Sequence, residues 1–186
     1  MRIAKFLEAH DWLDAGLELL RVRGIGGVRV DPLCRRVGVT KGSFYHYFAN
    51  RTAFREQLIE RWREITMPQP EQVAALARRG SLEDRIRAML DHIREHDLGR
   101  YDLAMRTWAK EDTQARQAVE AVDRVRLSAT SRMFEADGWA REAALERARI
   151  LFYYIAGRYE VEGRAPTPEE GARVAQMLAR TEGGCG

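Results

Sequence analysis

The chain has 186 residues, 45% hydrophobic and 32% charged, with a formal net charge of +3. That composition suits one or two globular domains and excludes a disordered chain, a fibrous one and a large multidomain enzyme. No apolar run reaches the ~18 to 20 residues of a bilayer-spanning helix. Met1 to Trp12 carries only a broken apolar patch, so no secretory leader is expected. The two cysteines, Cys34 and Cys185, are too few for a disulfide framework, and a cytoplasmic location follows as the expectation.

The first predicted helix runs from about His10 to Arg23, where Leu13, Leu17 and Leu20 make one apolar stripe. Gly24 suits its C-terminal cap. The Gly24-Ile25-Gly26-Gly27 run follows a helix rather than a strand and lacks a third glycine, so it is no dinucleotide-binding loop. A second, short helix is expected with Asp31 as its cap and Pro32 at its first position, with Leu33 and Val37 on one face. Gly38-Val39 interrupts, Thr40 is placed to cap a third helix over Lys41 to Phe48, and helical spacing turns Phe44 and Phe48 inward with Tyr47 at the edge. Gly42, Tyr45 and His46 then share the opposite face. Two short helices joined by a tight, glycine-containing turn make a helix-turn-helix, whose second helix can enter a DNA major groove.

Charge gathers in this region. Arg21 to Arg55 contains eight basic residues against one acid, Asp31, a local net charge of +7 that leaves −4 for the remainder. Such a block fits a polyanion-binding module, and equally a solvated basic face. The residue types favour the former. Thr40 and the helix-start N–H groups can hold a phosphate. Lys41 can reach a base edge or a phosphate, and bare Gly42 admits close approach. Tyr45, His46 and Tyr47 can donate to phosphates, while Arg51 opens the next helix beside the flanking backbone. Ser43 lies on the same short helix.

The stretch Val37-Gly38-Val39-Thr40-Lys41-Gly42-Ser43-Phe44-Tyr45-His46-Tyr47-Phe48 resembles the signature of the TetR family of bacterial transcriptional regulators. Leu13 to Gly24 and Asn50-Arg51-Thr52-Ala53-Phe54 are similar to the family's first and fourth helices, and the likeness extends over about residues 10 to 66. Three residues at two sites depart from the pattern. Asp31-Pro32 replaces polar non-proline residues, and Arg51 replaces the more usual lysine. The resemblance implies an all-α protein with an N-terminal three-helix DNA-binding domain at 1–52, a fourth helix at 51–66 as connector, and a helical ligand-binding and dimerisation domain at 67–182. A flexible tail is expected at 183–186.

The C-terminal half bears out the helical class by composition. Among the five prolines (Pro32, Pro68, Pro70, Pro166 and Pro168), none falls between residues 71 and 165, and helix formers dominate there. Pro68 and Pro70 are expected to end the fourth helix and form the linker. Ser81 and Asp84 form an expected capping box ahead of a helix to about His96. Further helices are expected over Tyr101 to Ala109, Thr113 to Ala136, Arg141 to Tyr159 and Glu169 to Ala179. The segment Arg106-Thr107-Trp108-Ala109 with Asp112 is similar to the family's sixth helix.

No nucleophile elbow, phosphate loop or cysteine ligand set is present, so no enzyme is expected and no cofactor. His92 and His96 sit four apart, but without the glutamate of the metalloprotease motif no metal is expected. Asp102 and Arg106 read as an ordinary helix pair. By the family resemblance the protein is a ligand-responsive regulator, with repressor the family default. It would bind a near-palindromic double-stranded DNA operator as a homodimer, be released by a small-molecule effector, and have no membrane partner. An apolar effector pocket could be lined by Met89, His92, Ile93, Tyr101, Met105, Trp108 and Phe134, residues that fit plain core equally well. The competing class is an all-α enzyme or interaction protein whose basic face has another use.

Overall fold

The computed structural model describes residues 7–67 and 80–180. The described residues form α-helices and no strand: α1 Ala9–Arg23, α2 Val30–Val37, α3 Lys41–Tyr47, α4 Arg51–Thr66, α5 Leu82–Glu95, α6 Asp102–Ala109, α7 Thr113–Glu135, α8 Arg141–Glu162 and α9 Pro168–Ala179. A 3-10 turn at Ile25–Gly27 links α1 to α2. The linker expected at Pro68 and Pro70, the tail at 183–186 and Cys185 lie outside the described residues.

The chain forms two compact units, Met1–Thr66 with Tyr101–Glu120, and Met67–Arg100 with Ala121–Gly186. This division differs from a simple boundary near residue 67, because α6 packs with the N-terminal helices. The Tyr101 hydroxyl donates to Glu18 at 2.7 Å, and the Trp62 indole N–H donates to Asp102 at 3.1 Å. Asp102 also accepts from the Thr66 hydroxyl at 3.4 Å. Trp62 is buried, so its N–H needs an acceptor, and Asp102 supplies one.

In the first unit, α1 turns Trp12, Leu13, Leu17 and Leu20 into a core shared with Leu33, Phe44, Phe48, Phe54 and Leu58. Its start is fixed by a reciprocal capping box between Glu8 and Asp11. α2 begins at Val30, earlier than the sequence suggested, with Arg29 rather than Asp31 at the cap position. The Leu33 N–H bonds the Arg29 carbonyl at 3.1 Å, and Pro32 is tolerated because first-turn N–H groups have no intrahelical partner in any case. Asp31 is thereby freed from capping.

Gly16 marks a close approach of α1 and α4. A Cβ there would lie 2.8 Å from Phe54 Cζ and 2.9 Å from Leu58 Cδ1. Both neighbours are buried and cannot retreat freely. Gly16→Val is therefore expected to destabilise this unit by ~1–3 kcal/mol through overpacking, although removing a helical glycine would by propensity alone gain ~1 kcal/mol or less. A thermal melt checks the sign. A melting temperature at or above that of the unsubstituted protein would contradict the tight packing.

The second unit is built on Leu82, Ile86 and Leu90 of α5, Phe134 of α7, Ala144, Ala148 and Leu151 of α8, and Ala175 and Leu178 of α9. α9 packs closely on α5, where a Cβ on Gly171 would lie 3.4 Å from Leu90 Cδ1. The expected Ser81–Asp84 capping box is present. A second box, Thr167 with Glu170, starts α9 one residue earlier than expected, with Pro168 at its first position. Glu170 also receives Arg164 at 3.1 Å and Arg158 at 2.6 Å. Arg164 first, then the Thr167 N–H, lower its carboxyl pKa to about 2. α8 runs past Tyr159 to Glu162, because no breaker intervenes before Gly163, which takes the left-handed cap at φ 68°.

Candidate nucleic-acid interface

The turn between α2 and α3 is set by one glycine. Gly38 has φ 80°, and its N–H and that of Val39 both bond the Cys34 carbonyl, at 2.8 and 3.1 Å. Thr40 follows in an extended conformation at the cap of α3, but its hydroxyl makes no capping hydrogen bond. The Ser43 N–H bonds the Thr40 carbonyl instead, at 3.1 Å. Along α3 the two faces separate as the spacing predicts. Phe44 and Phe48 are fully buried against Trp12 and Phe54, with Trp12 meeting Phe44 edge-on at 5.5 Å between ring centroids. α3 is thus anchored by aromatic packing rather than by its own length.

The outward face carries Thr40, Lys41, Gly42, Tyr45 and His46, all exposed, with Ser43 half-buried. Tyr45 is 54% exposed. A Cβ on Gly42 would meet only the Thr40 hydroxyl oxygen, at 3.8 Å, so no internal contact requires glycine there. Arg51, also exposed, opens α4 beside this face, where the Asn50 carboxamide oxygen accepts the Ala53 N–H at 2.9 Å. Tyr47 differs from expectation. It is half-buried and its hydroxyl donates to the Leu7 carbonyl, so its proton serves the fold rather than a phosphate.

Lys41 is not isolated. Its Nζ lies 2.8 Å from Asp31 Oδ1, the acid that the earlier start of α2 releases from capping. The hydrogen bond from Lys41 holds the Asp31 carboxyl below the ordinary carboxylate range, with Arg35 and Arg51 adding to the effect. The same bond raises the Lys41 ammonium. The only acid of the basic block therefore sits among its cations.

The family model for bacterial regulatory proteins of the tetR family matches residues 13–58, which run from within α1 to the middle of α4. Over these residues the chain is similar to the DNA-binding domain of the TetR family. The transcriptional regulator AcuR of Cereibacter sphaeroides is 50% identical over 46 residues, a stretch covering 25% of this chain and only 21% of that regulator's length. The likeness to the TetR-type fold extends much further than this. The fatty acid degradation regulator FadR of Bacillus halodurans superposes with a TM-score of 0.66 over 98% of both chains, at 14% identity. FadR of Bacillus subtilis, solved in complex with stearoyl-CoA, gives 0.62 over 92% of this chain and 98% of its own, at 13% identity.

Against this TetR-type fold, the residues expected to line an effector pocket divide. Tyr101, Met105 and Trp108 are buried in the first unit, whereas Met89, His92, Ile93 and Phe134 belong to the second. Phe134 is fully buried in the second unit's core, with Met89 packed against that core. Met89, His92 and Ile93 are half-buried on α5. The His92 and His96 rings stand 4.4 Å apart. Burial first, then the neighbouring His96, lowers the His92 pKa below the ordinary histidine value. Sequence reasoning missed the role of Asp102, whose partners Trp62 and Thr66 are distant in the chain, and that of Asp31. The lone acid in a basic block was the available signal for Asp31.

Proposed function

We propose that this protein is a regulator of the TetR type, ligand-responsive and most simply a repressor, which binds a near-palindromic operator as a homodimer and leaves it when a small molecule binds. The outward face of α3 carries the reading. Gly42 is the second residue of α3, and among the described residues only the Thr40 hydroxyl comes within 4 Å of where its Cβ would stand. Bare backbone between exposed Lys41 and Tyr45, held rigid by buried Phe44 and Phe48, suits a helix that lies against a DNA groove. Thr40, Ser43 and His46 complete the contact surface. Tyr47 supports it from behind.

Arg51 tests the reading directly. On a labelled duplex, log affinity should fall linearly with log salt, with a slope of about −0.9 per neutralised phosphate. Arg51→Ala is expected to weaken binding to every sequence tested and to flatten that slope by about one phosphate per reading head. An unchanged slope with an intact fold would remove Arg51 from the interface.

Dimerisation rests on α8. Its inner face is buried through Ala144, Ala148 and Leu151, yet Ile150, Tyr153 and Val161 are 48%, 64% and 83% exposed on the outside. With Gly157 they recur along one stripe over three turns. A helix apolar on both sides is normally covered on both. A second copy of the chain is the cover that a two-fold operator requires.

The effector is assigned to the second unit, near Met89, His92 and Ile93 of α5, where apolar surface meets the His92 imidazole. The stearoyl-CoA of the Bacillus subtilis protein belongs to that protein. For this chain the proposal extends only to a small organic molecule with apolar surface.

A further inference from the structure

We propose that Asp31 and Lys41 together read one G·C base pair in each half-site, and that Asp31 also suppresses sequence-independent DNA binding. The proposal rests on the DNA-binding reading above and adds a specificity-determining residue to it. Three observations carry it. Asp31 is the one acid among the eight basic residues from Arg21 to Arg55. It does not cap α2, although it stands in the helix's first turn. Its carboxylate lies 2.8 Å from Lys41 Nζ, at the start of α3, with the two side chains 53% and 66% exposed.

An ion pair this exposed contributes little to folding, so its effect must be sought on the surface where it stands. In the free protein Asp31 neutralises Lys41, and Arg35 and Arg51 lie within its electrostatic reach. A carboxylate brought against a phosphate backbone is repelled. It lowers affinity for any DNA that offers it no donor, and it withholds Lys41 from casual phosphate contact.

The exception is a base edge with a donor and an acceptor side by side. In a G·C pair the cytosine N4 amino group donates to guanine O6, which places the two atoms about 2.9 Å apart. Both also face the major groove, where N4 retains a second hydrogen and O6 a free lone pair. A carboxylate and an ammonium 2.8 Å apart match that spacing. Asp31 accepts from cytosine N4 while Lys41 donates to guanine O6 or N7, and the protein's own ion pair survives in the complex. At an A·T pair the major groove offers adenine N6 as donor and thymine O4 as acceptor, but it lacks the guanine O6/N7 pair of acceptors that a lysine prefers, and the thymine methyl crowds the pair.

The experiment uses the full-length protein and a duplex enriched by it from a randomised pool. Asp31→Asn keeps the shape and removes the charge. Asp31→Ser is a second variant in case the amide makes a new base contact, and both are checked for an unchanged thermal melt. Affinities are measured for the enriched duplex and for mixed-sequence duplex across a salt series. Both variants are expected to bind mixed-sequence DNA several-fold more tightly, with the salt slope steeper by about 0.9 per reading head as Lys41 is freed. The specific-to-mixed ratio should fall about tenfold or more, and tolerance should appear at one G·C position per half-site. If both variants keep the parental ratio and the parental base preference, the inference is overturned. If the parent protein enriches no duplex at all, the DNA-binding reading itself fails, a separate result.

Discussion

Phe44→Ala should unfold the N-terminal unit at physiological temperature. Phe44 is fully buried, and its ring touches Trp12, Tyr45, Phe48 and Phe54 with centroids 5.2 to 5.5 Å apart. Truncating a buried phenylalanine costs ~3–5 kcal/mol, and aromatic pairs of this geometry add ~0.5–1.5 kcal/mol beyond area burial. A domain commonly has only ~5–15 kcal/mol in total. α3 has seven residues, too short to persist without tertiary contacts. Loss of its anchor therefore removes the reading helix together with the core. A thermal melt followed by circular dichroism should show the unit's transition lowered by ~12 °C or more, and DNA binding should vanish with it. Tyr45→Ala, one residue along and exposed, loses only its edge contact with Phe44 and should lower the melt by a few degrees at most while altering DNA affinity. A Phe44→Ala protein that melts like its parent would contradict the placement of the aromatic core.

The second large effect concerns assembly. Ile150→Arg combined with Tyr153→Arg places two charges on the outer stripe of α8, where neither side chain contributes to the unit's own core. The chain should fold with a nearly unaltered melt but sediment as a monomer, whereas the parent sediments as a dimer. A dimer engages its second half-site intramolecularly, which commonly adds a factor of ~10²–10⁴ to avidity. DNA affinity at equal chain concentration should therefore drop by at least about a hundredfold, although the reading head is untouched. A monomeric parent, or a doubly substituted protein that remains a dimer, would show that this stripe is not the dimer contact.

The sequence revealed what is periodic and local. Leu13, Leu17 and Leu20 marked α1. Phe44 and Phe48, set four apart, gave the sidedness of α3 from spacing alone, and Ser81 with Asp84 gave the start of α5. These signals survive because helix faces repeat every 3.6 residues and caps act within one turn. Pairs distant in the chain were not legible. Asp102 reads locally as a partner for Arg106, and nothing in the sequence announces that it also accepts from Trp62 and Thr66. Tyr47 reads as a phosphate donor, yet it bonds Leu7. Asp31 reads as a cap, yet α2 starts before it and its carboxylate meets Lys41. The grouping of α6 with the N-terminal helices follows from such contacts too, and no composition shift announces it. In each case a buried or charged group found its partner through the fold, and sequence spacing carries no record of that.

The most direct measurement is enrichment of a randomised duplex library by the unsubstituted full-length protein, followed by sedimentation of the complex with the enriched duplex. The account predicts a two-fold symmetric motif whose half-sites lie about one DNA turn apart, two chains per duplex, and affinity that falls steeply with salt. No enrichment above the input library at low salt, with the protein folded, would contradict it.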